Sequence, residues 1–407
     1  MGAHSGMALG RLLFFIDHTY WRNGDSVSTN NNYLLFMQAF EATFDRIIIL
    51  GRVHPEPGEQ PYRCMPRPGC DFRELPYYPS LYSLRALLLS VSRGVRTAWT
   101  AVGESDAAWL GVPNPWALIL WMMCALRRCP AIFVVRQDAL ARVRLRAAGV
   151  KRALSYAAGW VIERAFILLS RRTLTFTVGE AMARRYGRPG APVHSVLDSL
   201  LSAKDFERVQ PRTLPSEGTP RSLLWVGRLD PDKGLKILLD AFQLLCASLP
   251  DPLSLHLVGS GSMEGGIRQQ VKRAGLESSV QLHGYVPFGP QLRALYETAT
   301  VFVLPSNESE GFPRVIMEAM AAGVPVVATA VAGIPFLVED HRHALLVPPR
   351  DPRALAGAVQ QVLSDASLYH RISSAGLDLA RQYTLEAGRD KMLERIVPYL
   401  AARRKRA

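Results

Sequence analysis

Short apolar runs, each stopped by a glycine, a proline or a polar turn, alternate along the chain with longer stretches whose apolar residues return every three or four positions. The first kind reads as a buried strand and the second as an amphipathic helix. In the first half the pattern predicts a strand over Arg11 to Ile16, a long polar loop from Asp17 to Asn32 and a helix from Tyr33 to Phe44. A strand from Arg46 to Gly51 and a proline-rich excursion from His54 to Pro79 follow. The alternation continues with a helix over Leu81 to Val95, a strand over Thr97 to Val102 and a helix over Trp116 to Arg127. Two more strands are predicted over Ala131 to Val135 and Thr173 to Val178. In the second half, Leu223 to Val226, Val280 to His283 and Val301 to Leu304 read as strands, and Leu235 to Leu249, Pro352 to Leu363 and Leu385 to Leu400 as helices.

Strands that alternate with helices pack as a parallel sheet covered on both faces. Residues 205 to 222, with three prolines, a glycine and mostly polar neighbours, are the best linker in the chain. The expected organisation is therefore α/β, with a Rossmann-like domain over residues 1–204, a linker over 205–222, a second Rossmann-like domain over 223–383 and a terminal helix over 384–407. Ligands of such sheets bind beyond the carboxyl ends of the strands.

Two of those carboxyl ends carry candidate chemistry. After the run Val301 to Leu304 come Pro305-Ser306-Asn307-Glu308-Ser309-Glu310-Gly311-Phe312-Pro313-Arg314-Val315, and then a helix containing Glu318 and closing at Gly323. Pro313 suits the first helical position. Amides at such a start lack intrahelical partners and can hold an anion. Glu310, in the loop, and Glu318, inside the helix, can address one ligand from different heights. After Leu223 to Val226 the chain turns at Gly227, and Arg228 and Lys233 lie in the turn before the next helix, where two cations can neutralise a diphosphate.

The run from Glu310-Gly311-Phe312-Pro313 through Glu318-Ala319-Met320-Ala321-Ala322-Gly323-Val324-Pro325, together with Arg228 and Lys233, resembles the nucleotide-sugar half of retaining GT-B glycosyltransferases of family 4. The likeness is close over roughly residues 220 to 365. It implies two doubly wound domains facing across a cleft, with the last helix crossing back to the first domain. Arg228 and Lys233 would grip the donor pyrophosphate, Glu310 would sit beside the sugar hydroxyls, and Glu318 would bind the ribose. The amides of Gly311, Phe312, Pro313, Arg314 and Val315 correspond to the stretch that contacts phosphate and sugar, although Pro313 itself has no donor to give. Gly284, Tyr285 and Val286 stand where such enzymes hold the base. The donor would be UDP- or GDP-linked, with no cofactor and no bound metal. Glu310 would bind sugar rather than attack it, leaving same-face attack by the acceptor. A non-hydrolysing nucleotide-sugar 2-epimerase and a catalytically silent nucleotide-binding member remain alternatives.

The first half departs from the family pattern. Where many members have paired glycines after the first strand, Asp17-His18-Thr19-Tyr20-Trp21-Arg22-Asn23-Gly24 offers only Gly24. Many members also place a histidine near the reacting sugar. The residues available here are Gly103-Glu104-Ser105-Asp106, His18, and Arg136 with Asp138, which follow Ala131 to Val135. Arg136 and Asp138 either complete the catalytic site or merely cap the next helix.

Charge alters this picture in one place. The formal net charge is +13, and the basic excess concentrates between Arg127 and Arg188, where apolar residues such as Trp160, Val161, Phe166 and Leu168 are interspersed with arginines. Such a mixture lies on anionic membrane surfaces, near which a lipid-linked or glycan acceptor would be found; a solvated helical surface over a packed core is the other reading. Nucleic acid is a third reading of the charge, but no nucleic-acid partner is expected, because no reading motif or stacking platform accompanies it. With 48% hydrophobic and 20% charged residues the chain can bury two cores. Its five cysteines include no Cys-x-x-Cys and are read as free thiols. Nothing near Met1 to Leu13 reads as a signal peptide, and Trp116 to Leu126 is too short an apolar stretch to span a bilayer. The expected location is cytoplasmic, peripheral on the inner face of the cell membrane, and the oligomeric state is left open.

Overall fold

A computed structural model describes residues 9–79, 84–136, 149–307, 313–331 and 333–404. The chain forms two compact units, one of Met1–Leu200 with Gly388–Ala407 and the other of Leu201–Ala387.

The strands of the first unit are β1 (Arg11–Asn23), β2 (Ser26–Thr29), β3 (Arg46–Val53), β4 (Tyr62–Met65), β5 (Cys70–Leu75), β6 (Ala107–Val112), β7 (Ala131–Val135), β8 (Leu174–Val178) and β9 (Val193–Val196). Seven of them run parallel in the order β5-β3-β1-β6-β7-β8-β9. The inner strands β3, β1 up to Ile16, β6, β7 and β8 are buried on both faces over most of their length, as a sheet sandwiched between helices requires, while the outer strands β5 and β9 are partly exposed. Phe14 pairs with Trp109 across β1 and β6, and on that face the Trp109 ring also meets Phe40 at 5.2 Å and Phe176 at 6.0 Å. The alternate residues Leu13, Phe15, Leu110 and Phe133 join Trp116, Phe166 and Tyr186 in a core on the other face.

Four expectations need correction here. The stretch after Ile16 is not a loop: β1 continues to Asn23 and folds back on β2 as an antiparallel hairpin, with Trp21 opposite Ser28 and Asn23 opposite Ser26. Tyr20 in that extension is buried, its ring 4.9 Å from the ring of Phe72. Residues 97–102 lie inside the helix Leu84–Gly103, because Ala98, Ala101 and Val102, at helical spacing, are all buried. The strand of this region is β6, so Glu104 and Asp106 precede a strand rather than follow one. Asp106 Oδ2 accepts from the amide of Arg11 at 2.7 Å, at the amino edge of the sheet. Finally, the proline-rich excursion contributes β4 and β5.

The second unit holds β10 (Arg221–Val226), β11 (Leu253–Val258), β12 (Val280–Gly284), β13 (Val301–Leu304), β14 (Val326–Thr329) and β15 (Leu345–Val347). They form one parallel sheet in the order β12-β11-β10-β13-β14-β15. Strand order reverses between β10 and β13, and a crevice opens at such a switch point. The helices Leu235–Ser248, Arg314–Ala321, Pro352–Ser364 and Ala366–Arg381 belong to this unit. The last of these was not foreseen. Residues 205–222 are packed rather than free: Arg212 donates to the carbonyls of Ala299 at 2.9 Å and Tyr296 at 3.3 Å, and its amide donates to Ser373 Oγ at 2.7 Å. The helix Leu385–Arg404 begins in the second unit and ends in the first, where Tyr399 donates to the carbonyl of Ala131 at 2.9 Å.

Candidate functional site

The loops after β10 and β13 emerge on either side of the switch point and touch. The amide of Asn307 donates to the carbonyl of Asp232 at 2.9 Å. Gly234 adopts a left-handed φ of +67°, and a Cβ there would stand 1.7 Å from the carbonyl oxygen of Pro305. Only glycine combines that φ with so close an approach. On the other side, the carbonyl of Gly227 would meet a Cβ on Gly259 at 1.7 Å. These contacts hold the β10 loop in one place at the strand ends.

Between those glycines stand the cations. Arg228 is 55% exposed and ion-pairs with Asp230, whose other oxygen accepts from Ser262 Oγ at 3.2 Å. Lys233 closes a short 3-10 turn, Pro231–Lys233. Its side chain is only 12% exposed, and Nζ lies 3.5 Å from Asp232 Oδ2. One cation thus reaches into solvent while the other is held against the loop. Asp230 and Asp232, the carboxylates that position them, carried no signal in the sequence reading beyond lying in the same turn.

Arg314–Ala321 is helical, and Pro313 occupies the N-cap rather than the first helical position, with no side-chain cap bond. Glu318 lies one turn in. It is buried, and its Oε2 accepts from the Tyr296 hydroxyl at 3.0 Å. Burial raises the carboxyl above its ordinary pKa, while the Arg314 charge and the Tyr296 hydrogen bond oppose that rise. Burial, then Glu318, pushes the Tyr296 phenol far up. Tyr296 comes from the helix Pro290–Thr298 and was missed; its spacing before β13 marks it only as a core aromatic. Gly284, Tyr285 and Val286 leave the end of β12, with Gly284 at φ +70° accepting from the Gly259 amide at 2.7 Å and Tyr285 exposed. The structure thus gathers Arg228, Lys233, Pro313, Arg314, Val315, Glu318 and the Gly284 turn at the carboxyl edge of one sheet. Glu310, Gly311 and Phe312 lie outside the described residues, as does Asp138.

In the first unit, Arg136 follows β7 and pairs with Asp198, beyond β9, through Nη2 at 2.9 Å, with its guanidinium 3.8 Å from the centre of the Tyr33 ring. Asp17, beyond the β1 core, accepts from the Tyr78 hydroxyl at 2.6 Å and from Asn114 Nδ2 at 3.0 Å, and lies 3.3 Å from Arg52 Nε. Burial and the Asp17 carboxylate push the Tyr78 phenol well up. His18 meets Asn31 at 3.2 Å. Asp17 and Asp198 were not singled out from sequence; Asp17 follows the apolar run Leu12 to Ile16 within β1, and Asp198 lies two residues past β9. Gly24 sits in the exposed hairpin turn at φ +58°. Among the described residues no cluster of His, Cys, Asp and Glu could hold a metal ion, and the five cysteines are free.

Two parallel-sheet Rossmann-like units define the architecture as α/β of the GT-B class. Anabaena HepE, solved with UDP and glucose, follows 95% of this chain and 99% of its own at a TM-score of 0.67 and 19% identity. Sucrose-phosphate synthase from Thermosynechococcus elongatus follows 97% of this chain and 99% of its own at 0.70 and 22%. At those identities the likeness speaks of fold alone. Residues 220–365, the part that carries the switch-point loops, match the family model described as glycosyl transferases group 1. WcaL of Escherichia coli (strain K12), whose name refers to colanic acid biosynthesis, is 34% identical over 197 residues, 46% of this chain and 47% of WcaL. The chain spans about half the length of the curated relatives it matches.

Proposed function

We propose that the protein is a retaining glycosyltransferase of family 4 that moves a hexose from a UDP- or GDP-linked sugar to a lipid-linked or polysaccharide acceptor at the cytoplasmic face of the cell membrane. One observation carries this reading: the cation-bearing turn after β10 is hydrogen-bonded, through Asp232 and Asn307, to the loop that leads into the Glu318 helix. In this reading the bond from the sugar's anomeric carbon to the diphosphate oxygen breaks, and the growing charge meets Arg228, Lys233 and the start of the Arg314–Ala321 helix. Fixed positive groups aimed at charge that develops in the transition state are an effective form of catalysis. They supply that field without a resident metal. Arg228 would exchange Asp230 for the diphosphate. Glu310 would hold the sugar hydroxyls and Glu318 the ribose, with the Gly284–Val286 turn against the base and the acceptor hydroxyl attacking on the face the diphosphate leaves. Arg136, paired to Asp198, and Asp138 are the first-unit candidates for the reacting end. The UDP and glucose in the HepE structure and the polysaccharide pathway in the WcaL name agree with this donor and this kind of product. Membrane association would use the basic and apolar 127–188 segment.

Purified protein offered a panel of UDP- and GDP-sugars should slowly release free nucleoside diphosphate from one of them. Lys233→Ala should slow that release by about 10² to 10³, and Glu310→Ala should abolish it. Binding of nucleotide with no turnover on any donor would leave a silent binding protein, and appearance of an epimerised sugar would make it an epimerase.

A further inference from the structure

A second concave site lies at the amino edge of the first unit's sheet, opposite the edge that carries Arg136. It is a cavity of about 560 Å³ bounded by the start of β7 at Ala131, the approach to β8 at Thr173, and the last helix. That volume is in the range of small-molecule sites. Its walls are apolar, from Trp121, Ala125, Leu168 and Leu169, and Arg171, Arg172 and Arg403 stand around it with no carboxylate among the described lining residues. Of these cations Arg403 is held in place: its Nη2 donates to the carbonyl of Arg172 at 2.9 Å and its guanidinium lies 5.2 Å from the centre of the Tyr399 ring, while Arg171 and Arg172 are exposed beside it. The helices that wall it also expose apolar side chains, with Met122 at 45% exposure, Leu126 at 76% and the lining residue Leu168 at 57%. An apolar hollow with three arginines at its described lining, on helices that also expose aliphatic side chains, is complementary to an amphiphile with a negative headgroup.

We propose that this cavity takes an anionic phospholipid from the bilayer, its phosphate among Arg171, Arg172 and Arg403 and the upper part of its acyl chains against Trp121 and Leu168, and so docks the first unit on the membrane. The inference rests on the membrane-face part of the proposed function and is independent of the glycosyl-transfer part. It differs from a diffuse basic surface in that shape matters as well as charge.

Flotation of the full chain with vesicles tests it. Binding is expected to vesicles of phosphatidylcholine mixed with phosphatidylglycerol and not to phosphatidylcholine alone. The double variant Arg171→Glu/Arg172→Glu should weaken that binding about tenfold or more. Ala125→Trp fills the hollow and leaves every charge in place, and should weaken it several-fold. Donor turnover, read separately, should be unchanged in both variants and reports that they are folded. Anionic-vesicle binding that neither variant weakens would overturn the cavity assignment while sparing membrane association. No vesicle binding at all would overturn both, and donor turnover would still judge the transferase reading. Binding of glycerol 1-phosphate by calorimetry without vesicles would make this a soluble-anion site and overturn the lipid assignment.

Discussion

The two sheets share one topology and use it differently. Both place their first strand centrally, with later strands added on either side, so both have a switch point beside it. In the second unit that edge keeps an exposed arginine, a clamped lysine and a helix start with no side-chain cap. In the first unit the corresponding edge is filled by its own side chains: Asp17 takes Arg52, Tyr78 and Asn114, and Arg136 takes Asp198. Both edges pair their cations with their own carboxylates, but the pairs of the first edge are mostly buried, whereas Arg228 keeps more than half of its side chain exposed within its pair, so the loop residues decide which crevice leaves a cation within reach of an anionic ligand.

The strongest way to break this comparison is to remove charge from each edge in turn. Lys233→Ala should lower the rate of donor turnover by about 10² to 10³, the cost of losing one positioned donor at a developing anion, whereas Asp17→Asn should act first on stability. Leaving Arg52 beside a neutral amide removes the partner of a mostly buried charge, and a loss of about 2–3 kcal/mol is expected in denaturant unfolding. A rate collapse in Asp17→Asn with unchanged stability would mean that the first edge, too, is open for chemistry.

The glycines sharpen the contrast. Gly234 and Gly24 both have positive φ, but a Cβ at Gly234 strikes the Pro305 carbonyl while one at Gly24 meets nothing within 4 Å. Gly234→Ala should therefore cost about 3 kcal/mol or more and displace the β13 loop, whereas Gly24→Ala should cost only the left-handed backbone penalty of about 1 kcal/mol. Melting curves of the two variants decide this.

A smaller effect belongs to Glu318. Its folded carboxyl titrates above the unfolded value, so between those two values the native chain binds the extra proton, and stability falls as pH rises through that window. Glu318→Gln keeps an acceptor for Tyr296 and lacks the charge. Its melting temperature should gain on that of the parent as pH climbs above the ordinary glutamate range, about 4.3, while donor turnover drops. The smallest effect expected is at the sheet edge, where His256 and His283 share a 2.9 Å hydrogen bond. Burial depresses both, with His283 adding to the shift of His256. The stability they confer is present above about 6.5 and declines as pH falls toward their lower folded values. His256→Gln should flatten that acid limb in thermal scans.

Where sequence reasoning succeeded, the pattern and the packing agreed locally. Val301 to Leu304 and Ala131 to Val135 are uninterrupted apolar runs, and both are strands buried on each face. Residues 97–102 misled because Thr97, Trp99, Thr100 and Val102 favour strands one at a time, while the buried spacing of Ala98, Ala101 and Val102 is that of a helix. β6 was missed because Ala107-Ala108-Trp109-Leu110-Gly111-Val112 mixes small residues and a glycine, which only the packing of Trp109 on Phe14 turns into a central strand. The β1 hairpin hid for the opposite reason: its residues are polar, and the antiparallel partners that stabilise it come from β2 and β4.

The amino-acid order by itself determined the α/β alternation, the place of the cation turn and carboxylate helix at strand ends, and the basic bias of residues 127 to 188, because each depends on neighbours within a turn or a strand. Only the tertiary structure decided that Asp232 and Asn307 join those two loops, that Asp17 and Asp198 occupy the cations of the first edge, and that Arg403, from the last helix, joins Arg171 and Arg172 around one apolar hollow. Those are contacts between segments far apart in the chain, and no local periodicity encodes which of many exposed arginines and carboxylates the folded sheet will bring together.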